Sequence, residues 1–421
     1  MPGVRRGLAV LVVGAAVLIG SPAALGATQQ QSLAQALSSG IQAAGGASAA
    51  YVVDLNTGAV LFSSGSQVGH LPASVEKLYT TSTALLRFGP NTTLTTQLLG
   101  SGSSTGGTWH GTLVLRGAGD PTFGSTSFDR VNYGGRGATI QRLVRNLIHG
   151  TGIRAVQGRI LADGSVFDSK RGTPATGYGP SISVEGVLDG IAYDRGWLTA
   201  SGSVFQARPT LFAAQRLADA LRGGGVRVPS GTHVSAGMSP RSSKPLAHVN
   251  SPNIASLISL TNTPSDNYFA ETLLKDLGAR FGGSGSTAAG AAVVRGELAQ
   301  VFGIHPTLND GSGLSRYDST TPLQVVTLLQ KMASNSTFFS SLAVAGETGT
   351  LAGVNRGTIA QGRCRGKTGT LNDVANLAGY CRALDGHTLA FAFLSDAISN
   401  PGYVHGVVHP RMTTALADYD G

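Results

Sequence analysis

The stretch PASVEKLYT, residues 72–80, opens a run with helical apolar spacing that stops at Gly89 and Pro90. Ser74 is of a residue type that favours helix N-termini, so the pattern predicts a helix beginning at this serine. Lys77 follows one turn later, which places its ammonium and the Ser74 hydroxyl on one face of the helix. A lysine within hydrogen-bonding reach can take the proton of a serine nucleophile. The alternative is a capping serine followed by a surface lysine.

A second lysine motif supports this chemical interpretation. Lysine is scarce, with only six among 31 basic residues, and one of them lies in Lys367-Thr368-Gly369-Thr370 within a strand-like segment. On an edge strand the lysine and the threonine hydroxyls can hold a substrate carboxylate, and Gly369 lets the backbone approach the substrate closely. The backbone amides of Thr370 and Ser74 can together form an oxyanion hole. The alternative is an ordinary hairpin strand.

A third short motif, Ser265-Asp266-Asn267, supplies a hydroxyl and an amide. These groups suit the relay of a proton to a leaving amine and the alignment of a substrate backbone. The segment SPN at 251–253 matches the same short pattern. We favour Ser265 and Asn267, because the segment that begins at Asn267 is a predicted helix and the motif then forms the loop that leads into it.

The composition is that of a folded, loop-rich globular protein. Of its 421 residues, 41% are hydrophobic, 13% are charged and 60 are glycine, which excludes a disordered or strongly acidic chain. The formal charge of +9 suits the anionic polymers of a cell envelope. No nucleic-acid partner is expected, because the basic residues are scattered. The nine histidines show no metal-ligand spacing, so no metal site is expected.

Residues 1–26 have the features of a signal peptide. Arg5 and Arg6 give a basic start, an apolar run covers residues 8–19, and small residues precede Ala27. We expect cleavage before Ala27 and export to the periplasm, the cell wall or the extracellular space. The alternative is an uncleaved membrane anchor, although the apolar run is shorter than the ~20 residues that span a bilayer comfortably. Membrane contact is therefore expected only through this segment, if it is retained.

The chain contains two cysteines, Cys364 and Cys381, seventeen positions apart. An exported protein enters an oxidising environment, so a disulfide between them is plausible. If the flanking segments form an antiparallel hairpin centred near Asn372 and Asp373, the two side chains face each other across it. Two buried free thiols are the alternative, because the sequence does not supply the Cα separation that a disulfide requires.

The order of predicted elements indicates a main domain interrupted by an insertion. A β-hairpin is predicted at residues 49–64, ahead of the helix described above. Residues 95–249 change character, with Gly/Ser-rich turns, short strands and two helical stretches, and are predicted to be an inserted β-rich module. Residues 27–94 and 250–421 then form one domain, in which helices precede the final strands and a closing helix.

The three motifs, in this order, are the set shared by β-lactamases and penicillin-binding proteins. More narrowly, the chain resembles the D-alanyl-D-alanine carboxypeptidases of the S13 peptidase family, the class C low-molecular-mass penicillin-binding proteins. The resemblance covers nearly the whole chain beyond the signal segment. It rests on the segments PASVEKLYT at 72–80, LRGAGDPTF at 115–123, SDNYFAETLL at 265–274, DGSGLSR at 310–316 and GKTGTLNDVANLAGY at 366–380.

The resemblance implies an α/β (α+β) fold, a penicillin-binding domain of the β-lactamase-like transpeptidase type. Its central antiparallel sheet is flanked by helices and interrupted by the insertion. The implied substrates are peptidoglycan peptides that end in D-Ala-D-Ala, and β-lactam antibiotics are implied as covalent inhibitors. No metal or organic cofactor is implied.

The resemblance also implies a role for each motif. Ser74 attacks the carbonyl between the two D-alanines, Lys77 acts as its base, and water releases the acyl-enzyme. The other motifs supply proton transfer and substrate placement by Ser265 and Asn267, electrostatic tuning by Lys367, and binding of the terminal carboxylate by Thr368 and Thr370 beside Gly369.

Three functions remain open at this point. The first is a D-Ala-D-Ala carboxypeptidase, with or without endopeptidase cleavage of peptide crosslinks. The second is a β-lactamase or related serine esterase on the same fold. It is disfavoured because Lys77 and Ser265 lie 188 positions apart, far more than the helical subdomain of a class A β-lactamase needs, and no deacylating glutamate is identifiable. The third is a non-catalytic envelope-binding protein, which would not need Ser74 and Lys77 together.

Overall fold

The computed structural model describes residues 2–3, 22–199 and 201–421. The predicted signal peptide lies largely outside the described residues and stays a prediction. None of the helices in the described residues has the length and apolar character needed to cross a bilayer.

The described residues form two sheets and a set of covering helices. The strands are β1 Ala47–Asp54, β2 Val60–Ser64, β3 Thr95–Thr105, β4 Thr108–Arg116, β5 Ala155–Asp163, β6 His233–Ala236, β7 Lys244–Asn250, β8 Ala343–Val344, β9 Cys364–Leu371, β10 Val374–Arg382 and β11 Thr388–Asp396. The helices are α1 Pro22–Ala44, α2 Lys77–Phe88, α3 Thr126–Tyr133, α4 Ile140–Thr151, α5 Pro209–Gly223, α6 Ile254–Asn262, α7 Asn267–Phe281, α8 Thr287–Glu297, α9 Pro322–Met332, α10 Ser336–Ser341, α11 Pro401–Tyr403 and α12 His409–Ala417.

The first sheet has six strands in the order β2-β1-β11-β10-β9-β8. All of its pairings are antiparallel. Apolar side chains on one face pack against α9 and share one apolar cluster with α2, α6 and α7. Those on the opposite face pack against α1 and α12. Burial on both faces explains why β10 and β11 are apolar along most of their length. The predicted antiparallel sheet flanked by helices is confirmed.

The second sheet has five strands in the order β6-β5-β4-β3-β7, all of them between Thr95 and Asn250. It is mixed, because β4 and β6 both run parallel to β5. Helices α4 and α5 share an apolar cluster with this sheet. The apolar residues of α4 recur at the spacing that buries one helix face, and Thr139 caps its N-terminus. The chain therefore leaves the first sheet after β2 and re-enters it at β8.

A hairpin of β9 and β10 carries both cysteines. Cys364 lies directly opposite Cys381, and the turn falls at Asn372 and Asp373. The two sulfur atoms are 2.02 Å apart and form a disulfide. The alternative of two free thiols does not apply to this structure.

Candidate active site

Ser74 lies in a short 3-10 turn, Ala73–Glu76, which runs directly into α2 at Lys77. The sequence predicted a helix that begins at Ser74, whereas the α-helix begins three residues later. The Ser74 hydroxyl accepts a hydrogen bond of 2.6 Å from Lys77 Nζ. Lys77 is 0% exposed, so the alternative of a surface lysine is wrong.

The turn before Ser74 is held in a conformation that few L-residues adopt. Ala73 has φ +43°, in the left-handed region. Asn376 on β10 donates to the carbonyls of Leu71 and Pro72, both at 2.8 Å. On the other side, a Cβ at Gly313 would lie 1.9 Å from the Ala73 carbonyl oxygen, so only glycine fits. Strain of this kind persists where surrounding contacts hold it, as they do here.

Lys77 makes three hydrogen bonds in a buried position. Its Nζ donates to Ser74 Oγ at 2.6 Å, to Asn267 Oδ1 at 2.5 Å and to the Ser312 carbonyl at 3.1 Å. These match the three donors of an ammonium group. Burial nevertheless lowers the pKa of Lys77 to about 8, against the opposing effect of nearby carboxylates. A neutral amine is then accessible near physiological pH, as a general base requires.

The second motif lysine, Lys367, is also 0% exposed. Its Nζ donates to Ser265 Oγ at 2.7 Å and to the Thr368 carbonyl at 2.9 Å. Burial, followed by the positive charge of Lys77, lowers the pKa of Lys367 well below its usual value. The motif Ser265–Asn267 therefore bridges the two lysines, because Ser265 accepts a hydrogen bond from Lys367 and Asn267 accepts one from Lys77.

The competing segment at 251–253 has a structural role. Asn253 caps α6 by accepting a hydrogen bond from the Ser256 amide at 3.0 Å. The Ser251 hydroxyl accepts a hydrogen bond from the Leu94 amide at 2.9 Å. These contacts account for both polar side chains of the segment.

The site is bordered by an open strand edge. The short strand β8 pairs only with Arg365 and Gly366 of β9, so residues 367–371 have no strand partner on that side within the described chain. A Cβ on Gly369 would lie 2.7 Å from the Pro72 carbonyl oxygen. The glycine expected to admit substrate thus also lets β9 approach the turn that carries Ser74.

The two threonines of β9 face a cavity of about 260 Å³. The Thr368 hydroxyl donates to Thr350 Oγ1 at 2.9 Å. Thr370 Oγ1 lies 2.8 Å from His405 Nε2. The sequence predicted the two threonines but neither of these partners.

Glu271 is a buried site residue that the sequence motifs missed. It lies four positions after Asn267 on α7, and therefore on the same helix face. Its Oε1 accepts hydrogen bonds from the amides of Gly311 and Ser312 at 2.9 and 2.8 Å. The Ser312 carbonyl is in turn an acceptor for Lys77. Glu271 therefore holds the loop that completes the surroundings of the buried amine.

A cluster of three buried acids lies behind the serine turn. Oxygen atoms of Glu76, Asp310 and Asp318 lie within 4.8 Å of one another. Burial, and then the neighbouring carboxylates, raises the pKa values of Glu76 and Asp310 well above their usual range. Among the described residues no N–H or hydroxyl group donates to either side-chain oxygen of Glu76, whose hydrogen-bond partner is the carboxyl group of Asp318. Protonated carboxyl groups reduce the repulsion within this cluster.

Replacing Glu76 by glutamine should stabilise the protein at alkaline pH. Because the folded pKa of Glu76 lies above the unfolded value, the folded state binds more protons, and its stability falls as pH rises from about 4.5 towards the folded pKa. Glu76→Gln removes this titration, so we expect a gain of about 1 to 3 kcal/mol at pH 8 that shrinks towards pH 4.5. Thermal unfolding of both proteins across this range measures the difference.

Glu347→Gln, at an exposed glutamate, controls for the loss of one negative charge. An equal gain in that variant, or a Glu76→Gln gain that grows towards acid pH, would contradict the protonated cluster.

A serine bonded to a buried lysine, beside a second lysine and serine at the edge of an antiparallel sheet, defines the active-serine enzymes of the penicillin-binding class. The chain matches the D-Ala-D-Ala carboxypeptidase 3 (S13) family at residues 29–181 and 181–405. It therefore belongs to this family of serine-type peptidases, and the family predicted from the sequence is confirmed.

Similar proteins cover most of the chain. The D-alanyl-D-alanine carboxypeptidase of Actinomadura sp. strain R39 is 28% identical over 459 residues, covering 90% of this chain and 82% of that protein. Penicillin binding protein 4 from Haemophilus influenzae has a TM-score of 0.73 at 20% identity, covering 92% of this chain and 98% of that one. The same Haemophilus protein in complex with a β-lactam has a TM-score of 0.70 at 19% identity, with 91% and 98% covered.

A predatory peptidoglycan endopeptidase from Bdellovibrio bacteriovorus has a TM-score of 0.53 at 17% identity, with 87% of this chain and 90% of that chain covered. These likenesses confirm the fold class predicted from the sequence.

Proposed function

We propose that this protein is a serine-type D-Ala-D-Ala carboxypeptidase that acts on peptidoglycan stem peptides through an acyl-enzyme on Ser74. The observation that carries the proposal is the 2.6 Å hydrogen bond between Ser74 Oγ and a fully buried Lys77 whose pKa is lowered to about 8. Burying an amine costs free energy in its charged form, which is the condition under which lysine serves as a base for a serine nucleophile.

In the proposed acylation step, Ser74 Oγ attacks the carbonyl carbon between the two D-alanines. The hydroxyl proton passes to the neutral amine of Lys77. The amides of Ser74 and Thr370 stabilise the oxyanion of the tetrahedral intermediate. The 3-10 turn that carries Ser74 leads directly into α2, so the N-terminus of this helix adds favourable electrostatics.

The amine of the leaving D-alanine must receive a proton, and its carboxylate must be bound. Ser265 passes to the leaving amine the proton that Lys77 took from Ser74, which returns Lys77 to its neutral form. The Ser265 hydroxyl is held for this role by a hydrogen bond of 2.7 Å from Lys367. The hydroxyls of Thr368 and Thr370 bind the terminal carboxylate. The negative charge of that carboxylate in turn favours the protonated form of Lys367. Asn267 aligns the peptide backbone while it keeps Lys77 in place. Water then attacks the ester, and Ser74 is regenerated with Lys77 again as the base.

The chain is proposed to act outside the cytoplasmic membrane, in the periplasm, the cell wall or the extracellular space, where its substrate lies. β-Lactams are proposed to acylate Ser74, because a strained cyclic amide with a carboxylate offers the same two groups as the peptide terminus. Cleavage of peptide crosslinks is a second candidate, since the fold is shared with a peptidoglycan endopeptidase.

The proposal predicts D-alanine release from a peptide ending in D-Ala-D-Ala, together with a stable penicillin adduct. The acyl-enzyme forms in both reactions, but the tethered penicillin leaving group blocks the approach of water. Purified protein is incubated with the peptide, with a crosslinked muropeptide dimer and with benzylpenicillin. Free D-alanine, crosslink cleavage and intact mass are followed over time.

Each alternative has its own outcome. Rapid turnover of benzylpenicillin without D-alanine release would identify a β-lactamase. Folded protein that forms no adduct and releases no D-alanine would favour an envelope-binding protein. Cleavage of the dimer alone would make the protein an endopeptidase rather than a carboxypeptidase. A D-Ala-L-Ala peptide serves as the stereochemical control and should not be cleaved.

A further inference from the structure

The segment predicted to be an insertion contacts the motif Ser265–Asn267 directly. The Asn267 side-chain amide donates to the Ser183 carbonyl at 2.7 Å. The Asn267 backbone amide donates to Glu185 Oε2 at 3.0 Å. Both partners come from residues more than 70 positions earlier in the chain. Residues of the predicted insertion therefore hold Asn267, the last residue of the motif and the first of α7.

The same segment delivers a buried arginine to the middle of the motif. The Arg195 guanidinium is hydrogen-bonded to Asp266, the residue between Ser265 and Asn267. Its Nε also donates to the Tyr133 hydroxyl at 2.8 Å. Only 8% of Arg195 is exposed. Such a buried ion pair leaves an uncompensated charge when one partner is removed.

Aromatic rings surround the guanidinium and restrict where it can lie. Its Cζ atom is 5.2 to 5.7 Å from the centroids of four rings. Arginine is well suited to this setting, because its planar guanidinium stacks on aromatic faces while it donates in fixed directions. The rings belong to Tyr133, Trp197, Tyr268 and Phe269.

Unusual backbone conformations occur on both sides of the ion pair. Ser265 has φ +68°, a left-handed conformation that is unfavourable for serine. Asp194 and Arg195 are left-handed as well, at +50° and +55°. Asp266 is the N-cap of α7, where its Oδ1 accepts a hydrogen bond from the Phe269 amide at 2.9 Å. Its two oxygens thus connect the start of α7 to Arg195, directly after the left-handed serine in the chain.

We propose that Arg195 is a positioning residue for the reaction. By fixing Asp266, it keeps Ser265 in its hydrogen bond with Lys367 and Asn267 in its hydrogen bond with Lys77. The inserted segment is then a working part of the active site and not an independent appendage. This inference rests on the proposed function, because it assigns its role through the acylation of Ser74.

The test measures acylation by benzylpenicillin in wild type and Arg195→Met. Quenched time courses read by intact mass give the limiting acylation rate constant and the apparent dissociation constant of the penicillin. We expect the limiting rate constant to fall by about 10²-fold, the size of effect caused by small misplacements of catalytic groups. The dissociation constant should change little, because Arg195 does not line the strand edge that binds the carboxylate.

A second change separates positioning from general stability. In Arg195→Met the Asp266 carboxylate is unpaired and is drawn towards water. Asp266→Asn removes that charge and keeps an N-cap residue. The double variant Arg195→Met with Asp266→Asn should therefore recover part of the limiting acylation rate constant. A purely structural role would not give this recovery at temperatures where every variant is folded.

Arg171→Met is the matched control. Arg171 pairs at 2.9 Å with Asp189, whose side chain is fully buried, within the same segment. Its loss also leaves a buried carboxylate without its charged partner and should therefore lower the melting temperature. The limiting acylation rate constant should remain unchanged. If Arg195→Met does not fold, Arg195→Lys replaces it. Lysine keeps the charge but cannot reproduce the fork to Asp266 and Tyr133, so an intermediate loss is expected.

Two results would overturn the inference while the proposed function stands. One is wild-type acylation in Arg195→Met, or in Arg195→Lys if only that variant folds. The other is an equal loss in Arg171→Met and Arg195→Met. An absence of acylation in wild type would instead contradict the proposed function.

Discussion

Ser74→Ala should abolish both D-alanine release and penicillin adduct formation, with a loss in kcat/KM of about 10⁴-fold or more. The acyl-enzyme needs the Ser74 oxygen. Among the described residues, no other side-chain hydroxyl is hydrogen-bonded to Lys77 Nζ. The fold should survive, because the change removes one partly exposed hydroxyl. D-alanine release and intact mass measure the two activities, and thermal unfolding checks the fold.

Ser82→Ala is the matched control for this loss. Ser82 is a fully buried serine on the same helix, and its hydroxyl donates to the Tyr79 carbonyl at 3.1 Å. Its replacement removes an equivalent hydroxyl without touching the site, so activity should remain. An adduct of unchanged mass and rate in Ser74→Ala would move the nucleophile to another residue and refute the assignment.

The parts of the site that could be predicted from sequence are those in which one local element carries the chemistry. Ser74 and Lys77 lie within one turn, and the lysine motif lies on one strand, so spacing alone indicated which groups could cooperate. The antiparallel hairpin that joins the two cysteines followed from the same kind of local pattern. These groups could be predicted because their residues lie close together in the chain.

The contacts that could not be predicted come from distant segments or from the backbone. Ser312 acts through its carbonyl oxygen, which any residue type would supply. Arg195 reaches Asp266 from 71 positions away, and of the four aromatic rings around its guanidinium only that of Trp197 is a near neighbour in the chain. The predicted helix start was wrong for a similar reason. Contacts from Asn376 and Gly313 surround residues 71–73, Ala73 is left-handed, and Ser74 lies in a 3-10 turn ahead of the α-helix.

The last prediction concerns the base. Lys77→Arg should lower the limiting acylation rate constant by about 10³- to 10⁴-fold, at the upper end of what a general base contributes. Arginine keeps the positive charge and can donate to the same acceptors, but it does not lose its proton in proteins. The variant therefore removes basicity and preserves charge. Intact-mass time courses with benzylpenicillin measure the rate constant.

The pH dependence of wild-type acylation is a second test of Lys77 as the base. Lysine accepts the serine proton only when neutral, and the neutral form becomes dominant as pH rises through its pKa, which burial lowers to about 8. The rate constant should therefore increase with pH and level off above about pH 8, and this step should be absent in Lys77→Arg. Lys275→Arg, at another buried lysine that is bonded to Asp168 at 2.7 Å, controls for placing a guanidinium in the interior.

If the rise in rate with pH were unchanged in Lys77→Arg, the role of base would pass to Lys367, the second lysine of the site, whose pKa burial also lowers. The two assignments differ in geometry. Lys77 bonds the nucleophile itself, whereas Lys367 bonds Ser265. If Lys367 were the base, the proton of Ser74 would have to pass through Ser265, and Ser265→Ala would then abolish the step as completely as a change at Lys367. With Lys77 as the base, Ser265→Ala should slow the reaction and retain the step near pH 8.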